Sequence, residues 1–386
     1  MKKLLLCLVV LTLAISFAMA APVKFVFGDL GQHAEILKGF LPSYLLAGAG
    51  YDGLSLIDGN TTEIQLLLGA GYNQRKVWQD PVTGEVIRVN PIIYDVIETD
   101  WTLRFLQGFL SSPVEGKDLL TLSFAYEGKF EVNKDSMVVG KDRNNPTSLP
   151  VQRLDSYLGK SFNSNIYPDL KGNHRMLGSN LNLQLKLDMM DDKKTTTDGF
   201  VARFDFDYSP LFLNSALDGE ADYYSLTLNA VAAKTIYKYQ TERIDWFSIV
   251  LIDRVNFNWT DGSLVPVYAQ GPVSLGRKVR GFNTWTYNTN FTAVNNFDVR
   301  FAGPNLGVKG IFPRINLFFD MGYAAGNTFN TSYDGSQFLA STGAQFTVSF
   351  FDFIDLGYQL AYLFKGDKFT AGSDRLVGSF TFFLDF

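Results

Sequence analysis

From about residue 181 to the C-terminus, apolar and polar residues take turns one by one. Leu181, Leu183, Leu185 and Leu187 alternate with Asn182, Gln184, Lys186 and Asp188. Ala202, Phe204, Phe206 and Tyr208 alternate with Arg203, Asp205 and Asp207, and Tyr224, Leu226 and Leu228 with Ser225, Thr227 and Asn229. The same beat returns in Ala344, Phe346, Val348 and Phe350, in Leu356 to Phe364, and in Leu376 to Phe386. A period of two predicts β-strands with one apolar and one polar face. Turn-forming pairs separate them, among them Asp198-Gly199, Asp261-Gly262, Asp334-Gly335 and Gly366-Asp367. The longest strongly apolar stretch after the N-terminus, Trp246 to Ile252, falls far short of the ~18 residues a membrane helix needs.

A soluble sandwich alternates too, so the contents of each face decide. Here Phe and Tyr crowd the apolar face, as aromatic girdles do at a lipid boundary, while the other face carries charges that suit a watery lumen. The strands are expected to run about nine to eleven residues, the length a tilted strand needs to cross a bilayer. Strands in lipid must close on themselves, because lipid cannot satisfy an unpaired edge. The pattern therefore predicts an all-β fold, a transmembrane antiparallel β-barrel. One strand with its connection per about 23 residues implies roughly sixteen strands. The stretch from about Asn133 to Asn180 reads as one or two long surface loops.

Composition sharpens the compartment. The chain has 386 residues, 46% hydrophobic and 19% charged, which excludes a disordered chain. A net charge of −5 with no basic stretch argues against nucleic acid as a partner. Met1-Lys2-Lys3, an apolar run from Leu4 to about Phe17, and Ala18-Met19-Ala20 make residues 1–20 a secretory signal peptide. Its removal takes Lys2, Lys3 and Cys7 with it. That leaves 32 of the 34 basic residues against 39 acidic ones, a net charge of −7, and no cysteine. Residues 21–46 form a short lead-in, with a possible helix near Gln32 to Leu41, and 47–386 form the barrel.

Candidate chemistry is sparse. Gly48-Ala49-Gly50-Tyr51-Asp52-Gly53 fits G-x-G-x-x-G, but no helix follows it, so it is not a nucleotide fingerprint. The two histidines, His33 and His174, lie far apart and suggest no metal site. Acid pairs such as Asp191/Asp192 and Asp205/Asp207 read as solvated lumen groups. Neither enzyme activity nor any cofactor is expected.

One segment stands out. Leu275-Gly276-Arg277-Lys278-Val279-Arg280-Gly281-Phe282 sets a cation, a glycine and an aromatic on a tight loop. Downstream, Phe297-Asp298-Val299-Arg300-Phe301 precedes Leu317-Phe318-Phe319-Asp320-Met321-Gly322-Tyr323, where Asp320 interrupts an aromatic strand. A buried cation and a buried anion each cost several kcal/mol alone, so an Arg280–Asp320 pair would relieve both. Arginine suits this better than lysine, because its planar fork holds a carboxylate at two points.

At these positions the chain resembles the Omp85 superfamily, also called the bacterial surface antigen D15 family. Those barrels carry a Val-Arg-Gly-aromatic tip on a long sixth extracellular loop that folds into the lumen. Val279, Arg280, Gly281 and Phe282 match that tip, and Phe318, Asp320 and Gly322 match the strand motif whose aspartate holds the arginine. Asp298 stands where the family often writes Glu, ahead of Arg300. The resemblance is specific over about 200–386. Phe386, closing an aromatic strand, matches the terminal signal read by barrel-assembly machinery. The lead-in is too short for a POTRA domain, so a barrel-only member is expected, with a possible periplasmic partner supplying substrate.

The resemblance implies a bacterial outer-membrane protein embedded in lipid. Its implied role is inserting or assembling outer-membrane proteins, or translocating protein or lipid. The competing class is a passive pore or structural envelope barrel without macromolecular transport. A barrel-embedded enzyme is the third.

Overall fold

The computed structural model describes residues 23–27, 44–77, 92–112, 117–135, 175–191, 198–239, 247–270, 278–282, 289–303, 310–325, 337–350, 354–364 and 375–384. They form one antiparallel sheet of fourteen strands in sequence order, each hydrogen-bonded to its predecessor. The strands are β1 (Val23–Phe27), β2 (Tyr44–Leu54), β3 (Thr62–Val77), β4 (Ile92–Ser111), β5 (Asp118–Asp135), β6 (Arg175–Asp188) and β7 (Gly199–Ser209). They continue as β8 (Asp222–Tyr239), β9 (Phe247–Leu264), β10 (Phe291–Ala302), β11 (Ile311–Ala325), β12 (Gln337–Phe350), β13 (Ile354–Leu363) and β14 (Leu376–Leu384). A short helix, α1 (Leu211–Ser215), lies between β7 and β8.

Three expectations change. Among the described residues the sheet has fourteen strands where about sixteen are expected, and several strands run longer than nine to eleven residues. β4 spans 20 residues, and β5, β8 and β9 span 18 each. The sheet also starts inside the expected lead-in, since Val23–Phe27 pairs with Ala47–Tyr51 of β2. At the far end of the expected long loop, β6 already begins at Arg175. The possible helix at 32–41, both histidines and Phe386 lie outside the described residues.

The two faces follow the predicted alternation. On β11, Ile315, Leu317, Phe319 and Tyr323 are exposed, while Phe318, Asp320 and Ala324 between them are buried. Leu183 and Leu185 on β6, Phe346 on β12, and Leu356, Tyr358, Leu360 and Tyr362 on β13 continue this bare apolar face, here termed outer. It is far more extensive than the apolar patches of water-soluble monomers.

The inner face is a lattice of side-chain hydrogen bonds. Asn182 donates to Asp207 at 2.8 Å, Gln184 to Asp205 at 2.7 Å and Asn258 to the Thr227 hydroxyl at 2.8 Å. Cross-strand neighbours sit about 4.5–5.5 Å apart, so polar groups of adjacent inner positions reach each other directly.

Asp253 on β9 and Asn295 on β10 depart from the pattern. By register both occupy the outer face, where Asp253 lies opposite Phe297, and Asn295 donates to its carboxylate at 2.6 Å. Pairing each with the other lowers the cost of polar groups on an apolar surface.

The β7–β8 connection caps the sheet at one edge. Residues 175–180 of β6 extend past the β6–β7 pairing, which starts at Leu181↔Tyr208. Asn214 of α1, fully buried, fills in for the absent ladder partner. Its oxygen accepts from the Ser179 backbone N–H, and its amide donates to the Ser209 hydroxyl and to the Pro210 and Ala221 carbonyls. Leaving buried groups unpaired costs about 1–3 kcal/mol each. Asn214→Ala is therefore expected to destabilise the protein by roughly 2–4 kcal/mol, read as a lower urea midpoint. An unchanged midpoint would show that water replaces the amide.

Candidate functional site

Residues 265–290 connect β9 to β10 and lie against the inner face at both of their described ends. At the first end, Val265 packs with Met176 of β6, Ala221 just before β8 and Tyr223 of β8, and Tyr268 joins them from a short 3-10 turn, Val267–Ala269. Lys129 of β5 stands 5.2 Å above the Tyr268 ring. Gly178 permits this approach, for a Cβ there would fall 2.0 Å from the Tyr268 hydroxyl.

At the second end, residues 279–282 make a tight turn. The Phe282 N–H reaches the Val279 carbonyl at 3.4 Å, and Gly281 takes a φ of 90°. Only glycine adopts that φ without strain. Space makes the same demand, since a Cβ on Gly281 would lie 2.8 Å from both Ala361 Cβ and Leu363 Cδ2. Val279 and Phe282 are buried beside Val294 of β10, Ala324 of β11, Leu339 of β12 and Leu363 of β13, with Val377 of β14 alongside. The turn is thereby seated on the last five strands.

Between those two apolar anchors, Arg280 meets the carboxylates. Its Nε donates to Asp320 Oδ2 at 2.8 Å, its Nη2 to Asp320 Oδ1 at 2.6 Å, and its own backbone N–H to Oδ2 at 2.9 Å. The expected pair thus forms, and in the two-point geometry only arginine offers. The guanidinium also lies 3.9 Å from the centre of the Phe318 ring, which gives that motif residue a physical role as a cation–π floor. Gly322, the last motif position, occupies a buried inner-face site on the same strand.

Two further groups complete the cluster. Arg280 Nη2 lies 2.7 Å from Asp298 Oδ1, an ion-pair contact without hydrogen-bond alignment. Arg254 of β9 hydrogen-bonds the other oxygen of Asp298. Asp320 has no exposed side-chain surface and Asp298 2%, so both carboxylates need these cations. Burial disfavours charge on Arg280, but the Asp320 hydrogen bonds and the charges of Asp320 and Asp298 outweigh it and hold its pKa above the ordinary value.

Sequence reasoning noted Asp298 only as a departure from a family pattern, and it missed Arg254. The available signal was that Asp298 shares the polar side of its strand with Asn296 and Arg300, alternating with Phe297 and Val299. Its pairing with Phe318, next to the Asn296↔Asp320 pair, makes the two aspartates diagonal neighbours. Antiparallel neighbours connect at alternating edges, and counting such connections from β1–β2 makes the β9–β10 connection the fifth among the described strands. Five strands still follow it.

Elsewhere, Gly48–Gly53 lies within β2, so the G-x-G-x-x-G stretch is strand. A cleft of about 290 Å³ on the outer face is lined by Leu56, Phe105, Phe109 and Phe124 and carries no reactive group. Among the described residues no cluster of three or more metal-ligating side chains occurs.

No family profile matches the chain, and no curated protein does. Among solved structures it is similar to BamA from Haemophilus ducreyi lacking POTRA domains 1-3. The identity is 13% and the TM-score 0.49, over 88% of this chain and 62% of that one. This chain therefore spans less than two thirds of that BamA chain's length. The all-β antiparallel sheet is established by its own strand pairing and owes nothing to this likeness.

Removing one partner of a buried ion pair leaves an uncompensated charge at about 3–5 kcal/mol. Arg280→Ala is expected to release the turn at that scale, seen as new protease cleavage within 265–290 while the strands stay protected. Cleavage identical to the parent protein would show that Val279 and Phe282 hold the turn without the ion pair.

Proposed function

We propose that this chain is an outer-membrane β-barrel of the Omp85 kind, working in the insertion or translocation of protein or lipid. The inner face is its lumen, and the described parts of the β9–β10 connection, 265–270 and 278–282, belong to a plug held inside. The observation that carries this reading is the Arg280 fork on Asp320, formed by a loop tip that reaches back onto strands forty residues downstream. Such a lock has no purpose in a surface loop free in water.

The outer face supports the membrane part. Its aromatic and aliphatic side chains are exposed along most of the strands, as lipid contact requires. Fourteen strands also exceed what a twisted open sheet carries without curling. The two ends of the sheet are its shortest strands, five residues in β1 and nine in β14. A seam between them has few ladder hydrogen bonds to break, which suits a lateral gate for a substrate moving into lipid. Nothing in this mechanism requires a catalytic residue.

A passive pore is the second reading, favoured by the hydrogen-bonded acidic groups Glu127, Asp205 and Asp207 along the inner face of β5–β7. Conductance in a planar bilayer separates the two. The plugged barrel is expected to give small, fluctuating currents, and a steady, large, ohmic current would favour the pore. Depletion in the native cell, followed by a proteomic count of other outer-membrane barrels, tests the assembly role. Loss of several barrels supports it, and no loss removes it.

The membrane reading has its own check. Leu317→Arg puts a charge on the bare face of β11 and is expected to lower folding stability in liposomes by about 2–4 kcal/mol. An effect below 1 kcal/mol would place Leu317 outside the apolar band.

A further inference from the structure

Below the Arg280 lock, towards the β10–β11 turn, the inner face holds an arginine that the lock does not use. Arg300 follows Asp298 at the next inner position of β10, with Val250 of β9 and Asn316 of β11 on either side. Its Nε is buried and has no hydrogen-bond partner. The amide oxygen of Asn316, directly opposite, is likewise buried and unpaired. Arg300 as a whole is half-buried, but buried polar atoms are nearly always satisfied, and its Nε lacks an acceptor.

Among the described residues, the neighbouring charges do not supply that acceptor. The groups acting electrostatically on Arg300 are Arg314, Arg254, Asp298 and Asp355. Asp298 is already shared by Arg254 and Arg280. Asp355 is engaged by Arg314 at 2.6 Å, which also holds the Ser349 hydroxyl. Among the described residues, Arg254, Arg280, Arg300 and Arg314 thus face Asp298, Asp320 and Asp355, and one positive charge is left over. That excess sits on Arg300.

We propose that Arg300, flanked by Arg254 and Arg314, is the binding position for a phosphate group on the inner face. A phosphate oxygen accepts from the guanidinium fork, the geometry arginine provides best for such anions. A partly protonated phosphate or phosphomonoester also brings a P–OH, which can donate to the Asn316 oxygen. One ligand then satisfies both orphaned groups. The inference goes beyond the transport reading and holds whether the barrel is plugged or open.

Calorimetric titration of the purified, folded chain with sodium phosphate, against sodium chloride at equal ionic strength, tests it. A parallel titration uses vesicles of phosphatidylcholine with and without phosphatidic acid. Saturable phosphate binding is expected, weakened at least about tenfold by Arg300→Gln. Arg203→Gln, which removes a lumen arginine paired with Asp205 on distant β7, is expected to leave it unchanged. Binding confined to phosphatidic acid vesicles and lost in Arg300→Gln supports the site with a lipid phosphate as its source. Should Arg300→Gln fail to fold, Arg300→Lys keeps the charge, removes the fork, and is expected to bind phosphate at least about threefold more weakly. No saturable binding to either probe overturns the proposal. So does equal weakening by Arg203→Gln, or parental affinity in Arg300→Lys.

Discussion

Asp320 is a carboxylate with no exposed side-chain surface, placed in the middle of an aromatic strand. Its charge has to be met from inside the protein, and no neighbour on β10 or β12 in its register row is a cation. The compensating group comes from a connection whose sequence position is forty residues away. Meeting it draws Arg280 onto β11, and the backbone around Arg280 must then turn tightly enough to bring Val279 and Phe282 down beside it. Gly281 makes that turn possible. Each feature of the tip follows from the requirement to neutralise one buried charge.

Asp298 extends the same logic sideways. It adds a second buried carboxylate within reach of Arg280, and Arg254 of β9 balances it. The cluster therefore ties the loop to β9, β10 and β11 together, where a single pair would have tied it to one strand. Specificity is the gain, because a shifted register on β10 would turn Asp298 to the opposite face. Apolar contacts to β12, β13 and β14 then set how deeply the tip sits.

The outer face obeys the opposite rule, with one exception that helps to explain it. Asp253 and Asn295 occupy apolar-face positions, yet they satisfy each other across the ladder. A lone carboxylate at either place would lack that relief. Here the register gives the polar pair its partner, just as it does for the buried charges on the inner face. Satisfaction of polar groups thus governs both sides of the sheet.

Much of this was legible in the chain itself. Alternation from Leu181 onward located β6–β8 and β12–β14 and set the two faces of these strands, because backbone pleating makes period two unavoidable. Val279–Phe282 and Phe318–Gly322 identified the loop tip and its partner, because a charge inside an aromatic strand calls for an opposite charge. What only the tertiary structure decided depends on register. Strand lengths, the count of fourteen, the place of Val23–Phe27 in the sheet, and the convergence of Arg254, Asp298 and Arg280 all arise from which residue lies opposite which. Local pattern sets the face a side chain takes, whereas pairing between strands sets its neighbours.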